Sequence, residues 1–301
     1  VYPEEYETFL SYVCFANFDI GVVLSYSCHV LADFYDRLLL ATIAPAVVLA
    51  TLGGANYALK KRHSNSRSSS NGTMVAVQGK HLSAALVFIF FVYSSVSYTI
   101  FQTFLCDLMD DGEVYLQADY SLTCSTKRHQ AYTAYASLMI VVYPIGVPAF
   151  LGWWLVRNRK FLTKSERGTV PHLQPFSNIW GTYRPQRYYY EVVEFCRRIA
   201  LTMASVFLVP NSVNQIAVVL IVAVVFVLIS ESMSPFESSL DMRLYRWGNG
   251  VVVSSMFIAL LIKANESNEK SGHLSVFGGV LIFANVVMIV AVLTQSVLFA
   301  K

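Results

Sequence analysis

Charge is scarce in this chain. Only 14% of its 301 residues are Asp, Glu, Lys or Arg against 55% that are hydrophobic, and the mean hydropathy is +0.50. That balance excludes an ordinary water-facing globular domain. The long apolar runs are charged almost only at their ends, which argues against an arginine-rich voltage sensor and against a proton relay of membrane carboxylates. Cysteine is sparse too. There are five, none in a Cys-x-x-Cys, and the six histidines are scattered over different loops, so no zinc site has the spacing it needs. No nucleophile–base pair, metal-ligand spacing or phosphate loop occurs, so the chain is not read as an enzyme and no cofactor is expected. The carboxylates Asp107, Asp110, Asp111, Glu113 and Asp119 do not fit an EF-hand calcium loop, because the twelfth position from Asp107 is Ala118. They read as a solvated acidic face.

What is present is a series of apolar stretches. A hydrocarbon core about 30 Å thick needs roughly 20 apolar helical residues, and spans are expected at about 37–59, 83–105, 131–156, 190–209, 213–231, 247–263 and 274–299. This predicts an all-α fold, a polytopic transmembrane helical bundle of about seven spans. If the N-terminus faces outside, seventeen lysines and arginines fall on the inner side and five on the outer. The positive-inside rule therefore favours N-out and C-in. The net charge of +3 then needs no nucleic acid to explain it, and the inner basic face suits the anionic lipids of the inner leaflet. The bilayer is the expected partner, with a second copy of the chain or a surface structure beside it.

Residues 1–36 read as an extracellular pre-membrane segment and 37–301 as the transmembrane domain, with cytoplasmic basic loops at 60–80 and 157–189. The segment 1–36 begins without an initiator Met or signal-peptide pattern, so an upstream extracellular region is expected. A re-entrant or interfacial helix is expected at 9–26. The stretch 60–80 is Ser-rich and basic, without apolar periodicity, and is expected to be a flexible tether. By contrast, 157–189 carries Pro171, Pro175, Pro185, Trp180 and Tyr183 and reads as an ordered surface element.

Four features stand out as candidate sites. Cys106 and Cys124 bound one external loop and are expected to form a disulfide; Cys14 and Cys28 are a second candidate pair. Asn265 opens an Asn-Glu-Ser sequon close to the membrane, a glycosylation candidate. Pro144, Gly146 and Pro148 lie within one span, where each proline removes a helix hydrogen bond; they mark either a hinge or a static bend. The fourth is Glu191, Glu194, Arg197 and Arg198 at the start of span 4. After Arg198 only Ile199 to Val209 remain apolar, and eleven residues cover about 17 Å, too little to cross. These charges must therefore enter the membrane boundary. There they either pair, Glu194 with Arg197 and Arg198 at helical spacing, or snorkel into the headgroups.

The order of these features resembles a family. "FANFDIGVVLSYSC" precedes a proline-containing span, followed by "FLCDLMDDGEVYLQADYSLTC", "YPIGVPAFLGWWLVRNRKFL" and "YRPQRYYYEVVEFCRRIALT". Together, over about residues 2–240, they resemble the TRP-like (transient receptor potential, polycystin-like) C-terminal membrane domain of large protist and algal multi-pass surface proteins, which often carry Cys-rich ephrin-receptor-like repeats upstream. The resemblance implies a cation channel or a mechanical or chemical sensor at the plasma membrane or another cell-surface membrane, such as that of a cilium. The external loop between spans 6 and 7 is only about 264–273, too short for a re-entrant pore helix with its filter. Two other readings stand beside this one. A seven-helix receptor fits the span number and the external disulfide, but the Asp-Arg-Tyr and Asn-Pro-x-x-Tyr motifs are missing. A non-transporting membrane anchor of a surface structure needs no further motif.

Overall fold

The computed structural model describes residues 33–64, 71–110, 112–164, 173–207 and 213–265, together with Val286, Val287, Val290 and Thr294. It is mostly helical, at 80%. Five helices are long and apolar enough to cross a membrane: Phe34–Ala55, Ser83–Gln102, Lys127–Arg157, Val213–Met233 and Ser239–Leu261. This is a membrane protein. Two compact units divide the chain, Asn17–Ile199 and Val1–Ala16 with Ala200–Lys301.

In the first unit, α1 (Phe34–Ser64) packs on α2 (Asn71–Gln102). Both run past the membrane-length portion. Residues 60–64 continue α1 and 71–80 open α2, so the expected flexible tether is helical over most of its length. Lys60, Lys61 and Arg62 are good helix formers, and no proline interrupts 46–102, so the backbone bonds of each span simply continue. Helix α1 starts at Phe34, earlier than expected, because Phe34, Tyr35 and Leu38 are all buried in the unit's core.

After α2 comes the one departure from an all-helical fold among the described residues. Strands β1 (Cys106–Leu108), β2 (Val114–Leu116) and β3 (Asp119–Thr123) form an antiparallel meander in the order β1-β2-β3. Cys106 pairs with Leu116 and Leu108 with Val114, while a bulge at Tyr115/Leu116 shifts the β2–β3 register. Gly112, at φ +81°, makes the turn between β1 and β2, a conformation most side chains resist. The expected acidic loop is thus a sheet. Its carboxylates sit on turns and edges, and the fully buried Leu116 ties it to α1 and α2. Cys106 and Cys124 form a disulfide, with Cα atoms 6.4 Å apart, that staples β1 to the end of β3.

Thr126 then caps α3 (Lys127–Ile140) by accepting from the His129 amide at 3.2 Å. A π-helical turn, Val141–Ile145, separates α3 from α4 (Gly146–Arg157). The following segment is ordered by short elements: α5 (Arg159–Leu162), a 3₁₀ turn at Gln174–Phe176, α6 (Ser177–Trp180) and a second 3₁₀ turn at Pro185–Arg187. It is more than a surface element, because Leu162, Leu173, Ile179 and Trp180 are buried in a second core cluster with Leu151, Leu155, Tyr93 and Phe195. The Trp180 indole donates to the Leu173 carbonyl at 3.3 Å.

Helix α7 is Tyr190–Phe207. It stands where a fourth span was expected, but its 18 residues carry Glu191, Glu194, Arg197 and Arg198, and it is not among the five membrane-length apolar helices. In the second unit, α8 (Val213–Met233) packs on α9 (Ser239–Asn265), joined by an exposed bidentate pair in which Arg246 donates to both Glu231 oxygens at 2.7 Å. Of the expected span at 274–299 only Val286, Val287, Val290 and Thr294 are described, each helical, while the helix at 9–26, Cys14, Cys28, Asp111 and the Asn265 side chain lie outside the described residues.

Candidate functional site

The polar chemistry of the first unit converges on the helix that bends at its π turn. Two prolines four residues apart set the bend. Pro144 has no N–H for the Ile140 carbonyl, and Pro148 has none for the Pro144 carbonyl. In a membrane interior such orphaned carbonyls are costly. The buried Tyr93 of α2 answers one of them, its hydroxyl donating to the Pro144 carbonyl at 2.9 Å. The preceding residue, Tyr143, donates to the Thr42 carbonyl of α1 at 2.6 Å, and the Thr42 hydroxyl meets that of Tyr135 at 2.6 Å. Gly146 permits the turn itself: a Cβ there would lie 2.8 Å from the Val141 carbonyl oxygen.

The α3 end is anchored by aromatic and ionic contacts. Tyr35 stacks on Tyr132 with centroids 4.2 Å apart, Arg128 lies over Tyr35 at 4.9 Å, and Arg128 pairs with Asp33 at 3.0 Å. His129 Nδ1 meets the Tyr35 hydroxyl at 3.0 Å, and its Nε2 is 3.7 Å from the Cys106 sulfur. The two sulfurs and the imidazole lie within 4.8 Å of one another. With the sulfurs bonded together, no thiolate is available to a metal. Asp119 links this end to the sheet, accepting from the Phe34 amide at 3.2 Å and the Ser121 hydroxyl at 2.6 Å. Partial burial raises its carboxyl, but the bonds from Ser121 and Phe34 and the Arg37 charge together outweigh that and hold it below its ordinary value.

The start of α7 gathers the four expected charges. Glu194 is buried and takes the Arg197 guanidinium with both oxygens, Nε lying 3.1 and 3.0 Å away. Arg198 Nε lies 3.6 Å from Glu194, and its terminal nitrogen donates to the Phe90 carbonyl of α2 at 3.0 Å, with the guanidinium 3.5 Å over the Phe90 ring. Arg198 therefore reaches a neighbouring helix rather than pointing out to headgroups. Glu191, 8% exposed, accepts from Tyr183 at 2.8 Å. Cys196, on the same turns, is exposed and unbridged.

Beside the π turn is a cavity of about 550 Å³, walled by α2, the bent helix and α7 and lined by Phe90, Phe91, Phe150, Phe195, Val142 and Glu191 among others. Neither this cavity nor the Tyr93–Pro144 bond is signalled by local sequence, since each depends on residues about 50 or more positions apart. The proline pair alone hints that some donor must come from elsewhere. Comparison with protein families, curated proteins and solved structures finds no match.

Proposed function

We propose that this chain is the membrane domain of a TRP-like cation channel or sensor, with about seven spans, N-out and C-in, coupled to an extracellular region. One observation carries this reading: a single bent helix links a disulfide-stapled sheet at one end to the core cluster beside the α7 charges at the other, with a proline–glycine π turn between them. π turns inside α-helices gather at functional sites, and a helix that could adopt a second bend at such a turn would be a two-state element for a stimulus to bias. The loop expected between the last two spans, about 264–273, is too short for a filter, so conduction would follow a path built elsewhere. The test is purified protein in planar bilayers under tension steps. The expected result is a cation current whose threshold shifts when Gly146→Ala forces the turn out of its π geometry. Silence of the wild-type protein to tension, together with an intact fold, would support the anchor instead, and ligand-dependent G-protein coupling would support the receptor.

A further inference from the structure

The cavity beside the π turn joins an apolar lining to one buried carboxylate. Its walls are carbon, four of its lining residues are phenylalanines, and Glu191 is the single ionisable residue among those that line it. Glu191 is 8% exposed. Tyr183 supplies its one hydrogen bond among the described residues, through Oε2. The nearby cations make their contacts elsewhere, Arg197 turned to Glu194 and Arg198 to Glu194 and the Phe90 carbonyl, so that the Arg198 charge reaches Glu191 only through space. A buried carboxylate without its own cation is costly unless a partner completes it. Apolar walls around a carboxylate suit a cation with an apolar body, whose charge meets the anion while its carbon covers the walls. The volume falls in the range of small-molecule sites, about 300–1,000 Å³. Val87, Val142 and Phe150 line the cavity yet remain 41%, 50% and 56% exposed, so it is open on one side to an entering molecule.

We propose that this cavity is a binding site for a hydrophobic amine, its ammonium group against the Glu191 carboxylate and its apolar body among Phe90, Phe91, Phe150 and Phe195. The alternative occupant, a lipid acyl chain, would fill the carbon walls and leave the carboxylate uncompensated. Binding here requires no ion conduction, so the site and the channel reading stand or fall by different experiments.

Equilibrium dialysis of the whole 301-residue chain in detergent, with 4-phenylbutylamine and its neutral counterpart 4-phenylbutan-1-ol at pH 7, tests the assignment. The amine is expected to bind at least about tenfold more tightly, a difference of about 1.4 kcal/mol. Glu191→Gln should remove that preference, and Val142→Trp, at the open side, should weaken both probes. Should Glu191→Gln fail to fold, Val142→Trp still decides the location, since it leaves the carboxylate in place. Equal binding of amine and alcohol to the wild-type protein would assign the cavity to acyl chains and overturn the proposal. So would an amine preference that survives Glu191→Gln, or amine binding untouched by Val142→Trp.

Discussion

Tyr93 owes its importance to a hydroxyl. Replacing it with Phe keeps the ring packed against Phe195, at 4.8 Å, but strips the Pro144 carbonyl of the donor that Pro148 cannot supply. We expect Tyr93→Phe to cost about 1–3 kcal/mol, the cost of leaving a buried acceptor unsatisfied; thermal unfolding in detergent measures it. Glu194 is more exposed to substitution still, because two arginines depend on it. Glu194→Gln should destabilise by about 3–5 kcal/mol, as removal of one partner from a buried ion pair does, whereas Asp110→Asn, on an exposed turn, should be near neutral. Equal small effects would place the arginines in the headgroups instead. Asp119 gives a pH signature. Its folded carboxyl titrates below the unfolded value of about 3.9, so its contribution is complete above that pH and is lost as pH falls through the folded value. The melting-temperature gap between wild type and Asp119→Asn should therefore close on acidification from neutral pH towards 3; a gap that widens would contradict the sign.

At the scale of elements, the apolar helices were legible in the sequence because membrane length and composition alone define them. The pairing of Glu194 with its arginines was legible for a similar local reason, helical spacing. The sheet was not. Strands of three to five residues give too little alternation to read, and this meander is specified by its staple, by Gly112 and by burial of Leu116 against distant helices. The staple closes a loop with a sequence separation of 18, so Cys106→Ser with Cys124→Ser should cost about 3 kcal/mol by the loop-entropy account. Unfolding of both forms under matched conditions would measure this, and an unchanged midpoint would mean the sheet is held by its hydrophobic contacts alone. The π turn lay between these extremes: its prolines marked a break, but its conformation rests on a tyrosine 51 residues away.

For the whole molecule, orientation is the property that burial and hydrogen bonds leave untouched, since it belongs to the relation between protein and bilayer. Basic residues carry it, and the proposed N-out arrangement places 66–70 in the cytoplasm. Cysteines introduced there should react with an impermeant maleimide only after the membrane is opened; labelling of intact cells would reverse the topology. How α7 meets the membrane was the point at which sequence reasoning had least to work with. Its length is adequate for a helix and marginal for a span, and although Glu194 finds its arginines one turn away, the contact that ties Arg198 to a second helix, at Phe90, comes from a residue that no window around 190 contains.

Helix α8 is apolar without interruption from Ile216 to Ile229, and polar contacts sit only near its ends, Gln215 donating to the Ser205 carbonyl at 2.6 Å and Glu231 receiving Arg246. Between those ends, among the described residues, its position is held by apolar packing on α9 rather than by polar contacts. Its 21 residues measure about 31 Å, close to the thickness of an average bilayer core. In thinner or thicker lipid the mismatch is met by tilt, and the strain of tilting falls on the two terminal contacts. Set in a bilayer, such a helix would transmit a change of thickness first to the Glu231–Arg246 pair.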